Sequence, residues 1–161
     1  MPNIASHIIC SKYLIDNLKI ENPLDFYRGS IYPDLIYRGH YGKIYKKYYI
    51  PNINKFKKKY KNSNNDFYLG YLSHLLLDNY YVTNFVDKEI PYKAIINRGL
   101  YKDYNRINFK LLKDYSFDYN IINIIKNYND IKVNRRLLNK NIKYLLNEES
   151  SVEPKYINYN K

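Results

Sequence analysis

The chain is poor in residues that turn a backbone and in sulfur. Five glycines and six prolines among 161 residues leave few places for sharp reversals, which predicts long helices joined by short connections. A single cysteine, Cys10, excludes an internal disulfide and a metal–thiolate cluster. No apolar run approaches the roughly 20 residues that span a bilayer, which argues against stable membrane insertion. No basic start followed by an apolar stretch and a small-residue cleavage site opens the sequence, so a cytoplasmic location is expected. Histidine is scarce too: there are three, His7, His40 and His74.

Tyrosine, lysine, asparagine and isoleucine fill the space instead. The 22 tyrosines carry hydroxyls that need a partner or water when packed, so aromatic contacts with polar ends belong to the whole molecule. These four residue types share AT-rich codons, and their abundance reports the genome as much as the function. A formal charge of +12 attracts anionic partners: phosphate esters, lipid headgroups or nucleic acid. The densest basic run, "KFKKKYK" at Lys55 to Lys61, interleaves aromatics in a manner that suits single-stranded nucleic acid. A solvated helix face gives the same run, and nucleic-acid binding has only composition behind it.

The length fits one domain. Asn3 to Leu18 spaces Ile4, Ile8, Ile15 and Leu18 close to helical period, with Asn3 or Ser6 as cap. Glu21 to Gly42, with its prolines and glycines, reads as a structured loop. Lys46 to Lys61 reads as a weak helix, and Phe67 to Val86 as a central helix apolar in nearly every direction, hence interior. Segments around Lys93–Asp114, Tyr119–Tyr128 and Ile131–Leu146 have helical periodicity. The expectation is an all-α, single-domain multi-helix bundle over 1–147, followed by a C-terminal tail over 148–161.

The central helix raises a chemical question. Gly70, His74 and Asp78 stand at i, i+4 and i+8 and share one face. Glycine in a helix interior costs about 0.5–1 kcal/mol against alanine, so something must approach its backbone closely. A buried carboxylate needs a cation, donors or a proton. His74 and Asp78 can aim an imidazole and a carboxylate at one cation, although a structural His–Asp hydrogen bond has the same spacing. His7 near the first helix, and Asp34 and His40 in the glycine-bearing segment, extend the set to three imidazoles and two carboxylates. Such a set suits zinc.

Taken together, Ser6-His7, "GSIYPD" at Gly29 to Asp34, His40, and "FYLGYLSHLLLD" at Phe67 to Asp78 resemble the zinc-dependent phospholipase C family, the phospholipase C/D domain. The stretch "LYKDYNRINFKLLKDY", Leu100 to Tyr115, is similar to a downstream region of short bacterial members. The resemblance implies an all-helical fold whose zinc cluster hydrolyses phosphodiesters. It implies that Asp34, His40, His74 and Asp78 surround one zinc while His7 and a shared Asp78 hold a neighbour. Asp34 is the implied catalytic proton acceptor. It also implies an anionic phosphate-ester substrate, a phospholipid headgroup or nucleotide. Where the family has further downstream histidines, this chain has none after His74, and Asn84 stands where the first is expected. The cluster is thus incomplete relative to the family, with one or two zinc ions.

Two readings follow: a zinc-dependent phosphodiester hydrolase of the phospholipase C type, or a non-catalytic relative whose His/Asp cluster clamps three segments together. Nuclease activity would be a variant of the first. Asp103, Arg106 and Asn108 also invite attention, as residues able to line a substrate pocket with Arg106 pairing a phosphate oxygen. The plain alternative is the surface of a tyrosine-rich helix.

Overall fold

In a computed structural model, the structure describes residues 3–46, 48–90, 95, 98–118, 120–127, 129, 132–145 and 154–157. The fold is all-α apart from one small hairpin. Helix α1 spans Ile4–Asn17, α2 Pro23–Leu35, α3 Ile53–Lys59 and α4 Asp66–Tyr81. A π-turn, Val82–Val86, carries α4 into the short α5, Asp87–Glu89. Then come α6, Gly99–Asp114, α7, Asn120–Lys126, and α8, Arg135–Leu145. The abundant asparagine finds a structural use here. Asn3, Asn22, Asn52 and Asn65 each cap a helix, their side-chain oxygens accepting from Ser6, Asp25, Lys55 and Tyr68 backbone N–H groups.

The expected loop over Glu21 to Gly42 is mostly helix. Pro23 sits in the first turn of α2, where its missing N–H costs nothing, and Pro33 falls in the last turn. What stabilises α2 is tertiary contact with α4, the most extensive among the described elements. The two helices cross backbone to backbone at a pair of glycines: a Cβ on Gly29 would collide with the Phe67 carbonyl, and one on Gly70 with the Phe26 carbonyl. The close approach expected at Gly70 is therefore α2.

The weak helix expected from Lys46 to Lys61 is corrected in its first half. Lys43–Tyr45 (β1) and Tyr48–Ile50 (β2) form an antiparallel hairpin with Ile44 opposite Tyr49. The turn holds Lys46 at φ 51°, a left-handed conformation that the sequence does not advertise because no glycine is used. Among the described residues of that stretch, α3 is the helical part. Its Phe56 is fully buried, so the basic run turns an aromatic into the core and leaves Lys57 and Lys58 as a solvated face.

The main core gathers Ile8, Ile31, Leu35, Phe56, Tyr71 and Leu75 with Leu112, Ile125, Leu138 and Leu145. A second cluster joins the hairpin to the end of α4 and the start of α6 through Tyr48, Ile50, Val86, Leu100 and Tyr104. The central helix is not interior on all sides. Gly70, Tyr71, His74, Leu75 and Asp78 form its buried face, while Leu69, Leu76 and Tyr80 are exposed. None of the described helices is long and apolar enough to cross a membrane. Of the expected tail, 154–157 are described: Tyr156 and Ile157 pack on the second cluster, and the rest lies outside the described residues.

Candidate metal centre

Three segments converge on the buried face of α4. His7 comes from the second turn of α1, Asp34 from the end of α2, His40 from the turn before β1, and His74 and Asp78 from α4 itself. The glycine crossing sets their spacing: Asp34 follows Gly29 by five residues along α2, and His74 follows Gly70 by one turn along α4. With no side chain between the helices at the crossing, the ends that carry Asp34 and His74 are drawn together.

Asp78 is at the centre. Its Oδ1 lies 3.3 Å from His7 Nε2, and its Oδ2 lies 3.2 Å from His40 Nε2 and 3.4 Å from His74 Nε2. Asp34 Oδ1 is 3.3 Å from His40 Nε2 and 3.9 Å from His74 Nε2. The His7 and His74 rings stack, centroids 3.6 Å apart. His74 Nδ1–H donates to the Ser30 carbonyl at 2.6 Å, which directs Nε2 into the cluster. His40 Nε2–H then donates to His74 Nε2 at 3.0 Å.

Despite this crowding, polar demand is unmet. Both oxygens of Asp78 and both nitrogens of His7 are buried without a hydrogen-bond partner. A buried carboxylate in that condition is costly, and a cation among the side chains offsets the cost, whether the protonated His40 ring 3.2 Å away or a metal ion in its place. Two groups have ligand atoms mutually within 4.8 Å: His7, His74 and Asp78, and Asp34, His40 and His74. The donor set of imidazoles and carboxylates suits zinc in chemistry and number.

Protonation follows from the same neighbours. Burial, then the stacked His74, pulls the His7 imidazole below its ordinary value. Burial works to raise Asp78, but His74, His40 and His7 outweigh it and hold the carboxyl well below its usual range. Asp34 is likewise lowered against its burial by His74, His40 and His7. For His40, burial acts downward, and the carboxylates of Asp34 and Asp78 outweigh it, pushing the ring up to about 9. Both carboxylates are thus ionised at neutral pH, and the centre is prepared for positive charge.

The cluster has a closed side and an open side. His7, His74 and Asp78 are buried, whereas Asp34 keeps 24% of its side chain exposed and lines a cavity of about 560 Å³ whose other walls come from α1, α6 and α8. Asn108 belongs to that wall. Asp103 and Arg106 serve a different end. Asp103 is buried, accepts from Arg106 Nη1 at 3.0 Å and from the backbone N–H groups of Tyr156 and Ile157 at 2.5 and 3.2 Å, and so ties the C-terminal segment to α6. Asn84 is exposed on the π-turn, its amide donating to Tyr80 O and Thr83 Oγ1.

Sequence reasoning missed two parts of the site. The Ser30 carbonyl is a main-chain group that no residue type announces. Arg98, Tyr101 and Lys102 of the cavity wall follow a helical stripe with Asn105 and Asn108, legible only once α6 is known to face Asp34.

Residues 6–81 match the family model described as zinc dependent phospholipase C, a span that contains all five cluster residues. No curated protein and no solved structure matches the chain.

Proposed function

We propose that the chain, which matches the zinc-dependent phospholipase C family model over residues 6–81, belongs to that family and hydrolyses phosphodiesters of the phospholipid type. The observation that carries this reading is Asp78, a buried carboxylate ringed by three imidazole nitrogens at 3.2–3.4 Å, none of them aligned for a full hydrogen bond with it. His7, Asp34, His40, His74 and Asp78 are the residues that would hold zinc. Because His74 Nδ1 is committed to Ser30, that ring offers one nitrogen only. Asp78 offers two oxygens, Oδ1 near His7 and Oδ2 near His40 and His74, so either could take part in holding a cation.

Zinc bound there supplies Lewis acidity, bringing the pKa of water to about 7 and offsetting charge that grows on phosphate oxygens. The protein's own part is positional. Burial of His7, His74 and Asp78 keeps bulk water from the inner side and directs substrate to the side that Asp34 lines. Asp34, ionised at neutral pH, is the group that takes a proton from the attacking water. Ser30 fixes the His74 ring, and the stacked His7 keeps it from tilting.

The test is elemental analysis of protein purified without an affinity tag, together with hydrolysis of bis(p-nitrophenyl) phosphate and short-chain phospholipids at neutral pH. The expected result is bound zinc and slow, zinc-dependent turnover. Zinc-loaded protein that cleaves neither these nor single-stranded DNA would overturn the catalytic reading. It would leave the cluster as a clamp joining α1, the end of α2 and α4.

A further inference from the structure

The cavity beside Asp34 has a chemical character of its own. Arg98, which caps α6, and Tyr101, Lys102 and Asn105 within it fall at i, i+3, i+4 and i+7 and line the cavity together, and α8 adds Lys140. Asp34 is the only carboxylate among the described lining residues, and it is engaged with His40 and His74. Arg98 and Lys102 thus bring two cations from one stripe to a space of about 560 Å³, enough for a polar headgroup beyond the scissile phosphate. Arg98 holds its place by backbone geometry: it precedes α6 at φ 59°, and its carbonyl accepts the Lys102 N–H.

We infer that this cavity selects phosphodiesters whose headgroup carries a further negative charge, and rejects those with a quaternary ammonium. The inference rests on the phosphodiesterase reading for the position of the scissile phosphate. The opposite preference has a case to answer, since Tyr101 and Tyr104 also line the space and aromatic faces can hold an ammonium cation. The like charges of Arg98 and Lys102 on one face of the cavity repel such a cation, and Asp34, the one carboxylate among the described lining residues, is engaged with His40 and His74. A guanidinium and ammonium groups instead meet phosphate or carboxylate oxygens with charge-assisted hydrogen bonds. The selecting wall is built by α6 and α8, outside the matched residues 6–81, so it is a property of this chain's second half.

Headgroup phosphates test this without turnover. Zinc-loaded protein is titrated by calorimetry with phosphocholine, glycerol 3-phosphate, myo-inositol 1,4-bisphosphate and 2-phosphoglycolate, the last two separating a second phosphate from a carboxylate. The expected order places at least one of the doubly anionic probes about tenfold or more tighter than phosphocholine, one charge-assisted hydrogen bond being worth about that factor. The double variant Arg98→Gln, Lys102→Gln should lose most of the preference and leave the affinity for phosphocholine within about twofold. Lys57→Gln, Lys58→Gln removes equal charge from the remote face of α3 and should leave the preference intact. Equal or tighter binding of phosphocholine, or equal losses in both double variants, would overturn the inference. Hydrolysis of bis(p-nitrophenyl) phosphate is read in parallel, so that selective binding without turnover refutes only the catalytic reading.

Discussion

Gly29 and Gly70 stand face to face across the α2–α4 crossing, each occupying the place where the other helix's backbone passes. The relationship is reciprocal, and the convergence of the His/Asp cluster depends on it. Gly70→Ala gains helix propensity of about 1 kcal/mol but forces a methyl group against the Phe26 carbonyl, overpacking that costs about 1–3 kcal/mol. The expected outcome is a lower melting temperature together with weaker zinc binding, because Asp34 is displaced from His74. A variant with wild-type zinc affinity and stability would show that the crossing tolerates separation.

Zinc binding should be coupled to folding, since the ligands come from segments that are apart in sequence. A ligand that binds only the native state stabilises by about 2.7 kcal/mol at a hundredfold excess over its dissociation constant. Chelation should therefore lower the melting temperature by several degrees, and His74→Ala should remove the response. An unchanged melting curve on protein shown to have lost its metal would reject the coupling.

His40 gives the centre a pH dependence with a defined sign. Without zinc its pKa is about 9, above the 6.5 of a free imidazole. This contribution to stability is complete below about pH 6.5 and is lost as pH rises through about 9. A ligand nitrogen must shed its proton, so zinc uptake at neutral pH should expel one from His40, and affinity should climb until about pH 9. Calorimetry in buffers of different ionisation enthalpy counts that proton; none released at pH 7 would refute the assignment.

Asp34→Asn keeps the shape of the side chain and removes the charge that the proposed mechanism uses to take the proton. Turnover of bis(p-nitrophenyl) phosphate should fall by about 10² or more, general-base catalysis contributing on that order, while circular dichroism stays unchanged. Retained turnover would move the proton-accepting role away from Asp34.

Asp103→Ala should free the C-terminal segment. The carboxylate is buried and satisfies two backbone donors, so its loss costs about 1.5–3 kcal/mol. Limited proteolysis should then cut near 154–157 faster than in the wild type. An unchanged digestion pattern would show that packing of Tyr156 and Ile157 suffices.

Much of this architecture is legible in the sequence, and the exceptions have physical reasons. Helices α1 and α4 carry their own caps and apolar period, and Gly70 with His74 and Asp78 marks a buried polar face. Helix α2 is hidden because Pro33 and Gly29 weaken it locally, and its partner lies some forty residues away at Gly70. The hairpin is hidden because Lys46 adopts a left-handed turn that glycine or asparagine usually signals. Asp103 and Arg106 carry functional-looking chemistry but are spent on anchoring Tyr156 and Ile157. Composition alone does not distinguish a pocket lining from an internal tether.

The bond from His74 to the Ser30 carbonyl has a consequence for how the site can vary. The acceptor is main chain, and the Ser30 hydroxyl is occupied elsewhere, donating to Tyr27 O. Exchanging the side chain at position 30 for another small one therefore leaves the imidazole's aim untouched. Only a shift of the helix axis can turn the ring, and the neighbouring Gly29 holds that axis in place. The orientation of a reactive group is thus inherited through the path of a backbone, and mutational drift must first move a helix before it can disarm the histidine.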